Sequence, residues 1–194
     1  MIVIGLTGGI GMGKSSAAAV FRRSGLPVFD ADAVVHRLQA KGGRAIRPIE
    51  QAFPGTVQAG VLDRVALRRA VLSDKAALGR LERIVHPLVR QEEKAFLARA
   101  RRAGRRAVVL DIPLLFETGG EKRVDRIVVV SAPRAVQRAR VRRRGQMTPA
   151  QIDAVIARQT PDAEKRRRAD VVIRTGLSRH HAQRQLRRFI KRLS

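Results

Sequence analysis

The sequence predicts an α/β fold: five parallel strands in one sheet flanked by helices, with a helical lobe inserted after the second strand. Three observations carry that expectation. Five short, largely β-branched runs recur at Ile2–Leu6, Pro27–Phe29, Ala107–Leu110, Arg126–Val130 and Val171–Ile173, and the longer segments between them place apolar residues every three or four positions. Strands that alternate with helices pair in parallel and are covered on both faces. The first run leads directly into Gly8-Gly9-Ile10-Gly11-Met12-Gly13-Lys14-Ser15, a glycine-rich loop between a strand and a helix. The chain from about Asp32 to Ala103 shows no strand pattern and carries helical spacing instead.

The loop has the form G-x-x-x-x-G-K-[ST]. Its glycines let the backbone wrap closely enough for N–H groups to face phosphate oxygens, and the helix that follows adds the positive end of its dipole. Lys14 is expected to reach terminal phosphates and Ser15 to offer its hydroxyl to Mg²⁺. The second strand closes on Phe29-Asp30-Ala31-Asp32. Ligands of open α/β sheets sit beyond the carboxyl ends of strands, so one of these carboxylates is a candidate general base and the other caps a helix opening at Ala33.

In the inserted lobe, helical patterns run over Leu62–Leu72, over Asp74–Val85 behind an N-cap-like Ser73, and over Pro87–Arg102. His86-Pro87 predicts a break, and Gly42-Gly43 and Pro54-Gly55 predict turns. His36 and His86 carry no metal-ligand spacing and read, on pattern alone, as surface or core histidines. The strand Ala107–Leu110 ends in Asp111, a carboxylate placed to hold Mg²⁺ directly or through water.

The strand Arg126–Val130 feeds an arginine-rich helix from near Pro133, on which Gln137, Arg140 and Arg144 share one face. Guanidinium groups in that position can neutralise charge on a transferring phosphoryl group. Gly145 and Thr148-Pro149 interrupt the chain before a helix over Ala150–Arg158. A terminal helix, Ser178–Leu193, is expected to pack Leu186, Phe189, Ile190 and Leu193 on the sheet.

The 194 residues carry a net charge of +25, concentrated in the second half: residues 1–97 hold 15 Lys/Arg against 8 Asp/Glu, and residues 98–194 hold 26 against 8. Clustered cations suit a nucleic-acid surface. Against that stand the absence of Trp and Tyr and the presence of only six Phe, which leave few stacking platforms, and the many arginines set among alanines at helical spacing. A solvated arginine-rich surface is the favoured reading, and no specific nucleic-acid partner is expected. The lack of cysteine excludes disulfides and thiol chemistry, and no apolar run approaches the roughly 18 residues of a membrane helix, so a soluble cytoplasmic protein is expected.

Taken in order, these residues resemble the dephospho-coenzyme A kinase family. The matching pieces are Leu6 to Gly11 leading to Gly13-Lys14-Ser15, Phe29-Asp30-Ala31-Asp32 with His36, Leu62-Asp63-Arg64, and His86-Pro87. They continue with Asp111-Ile112-Pro113-Leu114-Leu115-Phe116-Glu117, Gln137 with Arg140 and Arg144, and Ala169 to Ile173. The resemblance implies a P-loop kinase fold and ATP-dependent phosphorylation of the ribose 3′-hydroxyl of dephospho-CoA, with Mg²⁺. It implies a nucleotide-binding core over residues 1–32 and 104–194, a helical lid at about 140–165, and a lobe over 33–103 for dephospho-CoA.

By position, the resemblance makes Asp32 the base, Lys14 and Arg140 the transition-state cations, and Ser15 with Asp111 the metal ligands. ATP would meet Gly8, Gly9, Gly11, Met12, Gly13, Lys14, Ser15, Ser16, Arg140, Arg144 and Thr175. Dephospho-CoA would meet Asp32, His36, His86, Leu114, Leu115, Phe116 and Glu117. The chain departs from the family pattern at three places. Met12 replaces a small serine and Ser16 a threonine, each with little expected consequence, and Thr175 stands where asparagine is usual, which bears on the adenine contact because a hydroxyl lacks an amide's paired donor and acceptor. Other readings are a different small-molecule kinase of the same fold and a nucleic-acid-binding NTPase.

Overall fold

The computed structural model describes residues 1–72 and 74–193. In chain order the elements are β1 (Ile2–Thr7), α1 (Lys14–Arg23), β2 (Val28–Asp30), α2 (Ala31–Leu38), α3 (Ile46–Ala52), β3 (Val57–Gln58), β4 (Val61–Leu62), α4 (Arg64–Leu72) and α5 (Lys75–Arg102). There follow β5 (Ala107–Asp111), a 3₁₀ turn at Gly120–Arg123, β6 (Arg126–Ser131), α6 (Arg134–Arg142), α7 (Pro149–Ala157), α8 (Asp162–Arg167), β7 (Val171–Arg174) and α9 (Arg179–Lys191). The chain divides into two compact units, one formed by Met1–Asp30 with the chain from Ala100 onward, the other by Ala31–Arg99.

The first unit is built on a five-stranded sheet, all parallel, in the order β2-β5-β1-β6-β7. β1 lies between β5 and β6, and all five residues of β5 are buried, as a strand covered on both faces must be. The register sets Leu6 beside Asp111 and Asp30 beside Asp111, so the ends of β1, β5 and β2 coincide. Ile4, Leu6, Val109, Val128, Val130 and Ile173 of the sheet form one core with Phe21 of α1 and Leu186 of α9, and Phe189, Ile190 and Leu193 pack against it.

The expectations for this unit hold at each strand to within one residue. α7 begins with a capping box, the Thr148 hydroxyl accepting from the Gln151 N–H and the Gln151 side chain from the Thr148 N–H, with Pro149 at the first helical position. α8 was not anticipated. Arg144 lies beyond the end of α6, so it continues the line of Gln137 and Arg140 in sequence but not as a helical residue.

In the second unit the structure corrects three expectations. Val57–Gln58 and Val61–Leu62 pair as a short antiparallel hairpin, which the two-residue strands hid from a pattern search, and α4 therefore starts at Arg64 rather than Leu62. The break at His86-Pro87 does not occur: α5 runs unbroken for 28 residues. Proline removes one N–H from the helix, but Pro87 and Arg83, whose carbonyl loses that donor, are both exposed, while Ala77, Val85, Glu93 and Ala100 hold a buried stripe on both sides. Finally, α2 opens at Ala31 rather than Ala33, which leaves Asp30 as the preceding residue and puts Asp32 in the first turn. Gly42 and Gly55 make the turns expected of them, and Ser73 lies outside the described residues. Among the described residues no helix is long and apolar enough to cross a membrane.

Phe21 is fully buried and meets Phe189 edge to face, with ring centroids 6.4 Å apart. Phe21→Ala is expected to cost about 3–5 kcal/mol of stability, read by urea unfolding followed in the far ultraviolet because the chain lacks Trp and Tyr.

Candidate functional site

The loop after β1 gives each of its carbonyls from Gly9 to Gly13 a donor and leaves several of its N–H groups without an acceptor among the described residues. Gly11 has φ 73° and Gly13 φ 93°, a conformation that side chains resist, and an added Cβ at Gly11 would lie 2.9 Å from the Gln137 carbonyl oxygen. With those turns in place, each carbonyl from Gly9 to Gly13 finds a donor. The Gly9 oxygen accepts from the Met12 N–H at 3.1 Å and the Gly13 oxygen from the Ala17 N–H at 3.2 Å. Gln137 Nε2 donates to the Ile10 oxygen at 2.9 Å, Arg140 Nη1 to the Gly11 oxygen at 3.4 Å, and Thr175 Oγ1 to the Met12 oxygen at 2.7 Å.

The N–H groups of Gly11, Gly13, Lys14, Ser15 and Ser16 have no acceptor among the described residues. The last three are the orphan donors of the first turn of α1. Five donors at the positive end of a helix make a ready anion site. Lys14 stands there with its Nζ 2.8 Å from Asp111 Oδ1, the Asp111 side chain nearly buried at 4% exposure. Ser15 and Ser16 are exposed and line a cavity of about 550 Å³ with Arg140, Arg144, Thr175 and Leu186. Gly8 packs against Val130 at the base of the loop.

Two side chains do more than the sequence suggested. Met12 is a core residue at 3% exposure, and its Sδ accepts the Ala132 N–H at 3.0 Å, so the position acts through its side chain as well as its backbone. Thr175 is buried, and its hydroxyl is already engaged: it donates to Met12 and accepts from Arg140 Nη1 at 3.2 Å, while its carbonyl accepts from Arg140 Nη2 at 2.6 Å. That hydroxyl braces the loop and Arg140 rather than standing free for a base.

The run from Asp111 to Glu117 divides in the same way. Leu114 is exposed. Leu115 is fully buried against Gly5 and Gly120 and so helps to hold the loop in place. Phe116 is buried beneath the Arg168 guanidinium, 4.3 Å from the ring centroid. Glu117 Oε1 accepts the Thr160 N–H at 2.9 Å and lies 2.8 Å from Lys165 Nζ, itself fully buried. The lysine contact is an ion pair with the ammonium fully buried. Burial pushes the Glu117 carboxyl up, but Lys165 and the Thr160 N–H outweigh it and hold it below its ordinary value.

In the second unit Asp32 is exposed, with no ion pair or hydrogen bond of its side chain among the described residues. Asp30, in the first unit, pairs with Arg22 at 3.2 Å. His36 Nδ1 lies 2.6 Å from Arg64 Nη1, and since a guanidinium only donates, the imidazole nitrogen is the acceptor in this contact. His86 is exposed on α5. Gln159, which sequence reasoning passed over, accepts the Ile10 N–H at 3.1 Å. Nothing local signals it: a glutamine just past a helix and before Thr160-Pro161 has no distinctive spacing.

The family description "CoaE: Dephospho-CoA kinase" matches residues 2–180. A dephospho-CoA kinase of Paramagnetospirillum magneticum is 60% identical over 166 residues, 86% of this chain and 78% of that protein. That of Brucella melitensis is 52% identical over 194 residues, 100% of this chain and 96% of its own. The crystal structure of TT1252 from Thermus thermophilus superposes with a TM-score of 0.87 at 38% identity, covering 100% of this chain and 98% of that one.

Thr175→Val keeps the shape but leaves the Met12 carbonyl without its donor. A loss of about 1–3 kcal/mol in urea unfolding is expected, with Thr175→Ser restoring most of it. For Glu117 the sign is fixed by the lowered carboxyl. Its charge stabilises the fold above the unfolded value near 4.5 and stops doing so as pH falls through the folded value. The stability advantage of wild type over Glu117→Gln is therefore full at neutral pH and shrinks on acidification below about 4.5.

Proposed function

The chain belongs to the dephospho-CoA kinase family and acts as an ATP-dependent kinase of coenzyme A biosynthesis, and we propose how its own residues carry that reaction. The loop Gly8–Ser15 holds the triphosphate of ATP. The single observation behind this is the set of five unpaired N–H groups beside the Lys14–Asp111 pair. Phosphate oxygens take up those donors, and Lys14 turns its ammonium to the terminal phosphates.

The 3′-oxygen of the dephospho-CoA ribose attacks the γ-phosphorus, the bond from that phosphorus to the bridging oxygen breaks, and ADP leaves. Asp32 accepts the proton of the attacking hydroxyl. Its preference over Asp30 rests on availability: Asp30 is paired with Arg22, whereas Asp32 is exposed and unengaged among the described residues. Charge spreading over the transferring group meets Lys14 and Arg140, with Arg144 in reserve on the same cavity. Arg140 is already oriented by the carbonyls of Gly11 and Thr175, which limits the rearrangement it must undergo.

Mg²⁺ fits the donors present. The Ser15 hydroxyl is exposed at the mouth of the loop and the Asp111 carboxylate ends β5, and an ion held mainly by phosphates and water needs no more from the protein. Bound there, it would neutralise phosphate charge. The dephospho-CoA side is assigned to Asp32, His36, His86 and the run Leu114, Leu115, Phe116 and Glu117 through their positions in the family pattern; of these Leu115 and Phe116 are buried in the first unit.

The test is production of ADP and coenzyme A in equal amounts from ATP and dephospho-CoA. Asp32→Asn is expected to lower turnover about 10²–10⁴-fold with the KM for dephospho-CoA little changed. A matching loss in Asp30→Asn, with Asp32→Asn near normal, would transfer the role to the other carboxylate. Lys14→Ala is expected to lose about 10²-fold or more.

A further inference from the structure

We infer that Gln159, in the segment between α7 and α8, is a positioning residue for the phosphate loop, acting with Gln137 of α6 on the two peptide groups of Ile10. The inference rests on the reading of Gly8–Ser15 as the nucleotide loop. Gln159 Oε1 accepts the Ile10 N–H at 3.1 Å, and Gln137 Nε2 donates to the Ile10 oxygen at 2.9 Å. The two amides crowd around Gly9, where an added Cβ would lie 3.1 Å from both.

A trans peptide is planar, with its N–H and C=O on opposite sides, so each of these bonds fixes two groups. Drawing the Ile10 N–H to Gln159 turns the Gly9 carbonyl the other way, where it accepts from Met12 and closes the loop. Drawing the Ile10 carbonyl to Gln137 turns the Gly11 N–H away from α6, where it is one of the five unpaired donors. Each glutamine acts on the loop through its bond to Ile10. Together they set the direction in which the loop presents its N–H groups before nucleotide arrives.

Gln159 is itself held. Its own N–H donates to the Ile156 carbonyl, and the next residue, Thr160, is pinned by Glu117. Both glutamines line a cavity of about 730 Å³ with Met12, Pro133, Ile156 and Leu177, so truncation at 159 would admit water to replace the lost oxygen. A methionine of similar length removes the acceptor without opening that route.

The experiment is calorimetric titration of the purified chain with ADP and no phosphoryl acceptor, on wild type, Gln159→Met, Gln137→Met and the double variant. Gln159→Met is expected to weaken ADP about tenfold, as an unmet N–H should, and Gln137→Met by a similar factor. The double variant should lose clearly less than the product of the two, because both act on one residue. The KM for dephospho-CoA should stay near wild type in Gln159→Met. ADP affinity within about twofold of wild type in Gln159→Met, whether or not its melting temperature falls, overturns the inference, as does strict additivity. Because no acceptor is present, a wrong assignment of the acceptor would leave these binding results standing, and a failed clamp would leave wild-type phosphoryl transfer intact.

Discussion

A loop that turns its N–H groups outward to a ligand must find partners elsewhere for its carbonyls, and much of the first unit is arranged around that requirement. Between Gly9 and Gly13 no carbonyl is left unmet, and the donors come from α1, α6, Thr175 after β7 and the loop itself. None of these contacts is strong alone, each worth about 0.5–1.5 kcal/mol net. Their joint effect is directional: with the oxygens committed, the N–H groups of Gly11 and Gly13 are left without a protein partner among the described residues, while those of Ile10 and Met12 are held inside. The positive φ values of Gly11 and Gly13 make this geometry possible, and the surrounding side chains make it persist.

Most of the architecture was legible in the sequence because it rests on local period and punctuation. The five strands are short and β-branched, α7 carries a complete capping box, and the phosphate loop is a contiguous motif. What escaped depends on contacts distant along the chain. Thr175 and Met12 are separated by more than 160 residues, and Gln159 and Ile10 by nearly 150. A threonine in place of the usual asparagine suggested a weakened base contact, whereas its hydroxyl is spent on the backbone of the loop. The packing of Leu115 against Gly5 and Gly120 likewise joins residues distant along the chain, and no local pattern signals it. Pro87 misled for the opposite reason: a strong local signal gave way to a stripe buried along the whole of α5.

The arginine excess acquires a plainer meaning in the fold. Asp30, Glu92, Glu121, Asp153, Asp162, Glu164 and Asp170 each meet an arginine, so many of the few acidic side chains are taken up locally. Exposed pairs of this kind contribute about 0–1 kcal/mol each. The cations left over give the surface a positive field that attracts anions of any sort, and a triphosphate and a nucleotide-bearing acceptor are both anions. Arg140 and Arg144 line the cavity beside the loop, so part of that positive charge lies there.

The pair formed by Glu117 and Lys165 constrains how such a sequence can drift. Replacing the glutamate alone strands a buried ammonium, and replacing the lysine alone strands a carboxylate that must then rely on the Thr160 N–H. Either single step passes through an uncompensated charge, while a joint exchange for apolar residues of like volume need not. Positions 117 and 165, nearly fifty residues apart, therefore behave as one unit of variation, and alteration at either is expected to accompany alteration at the other.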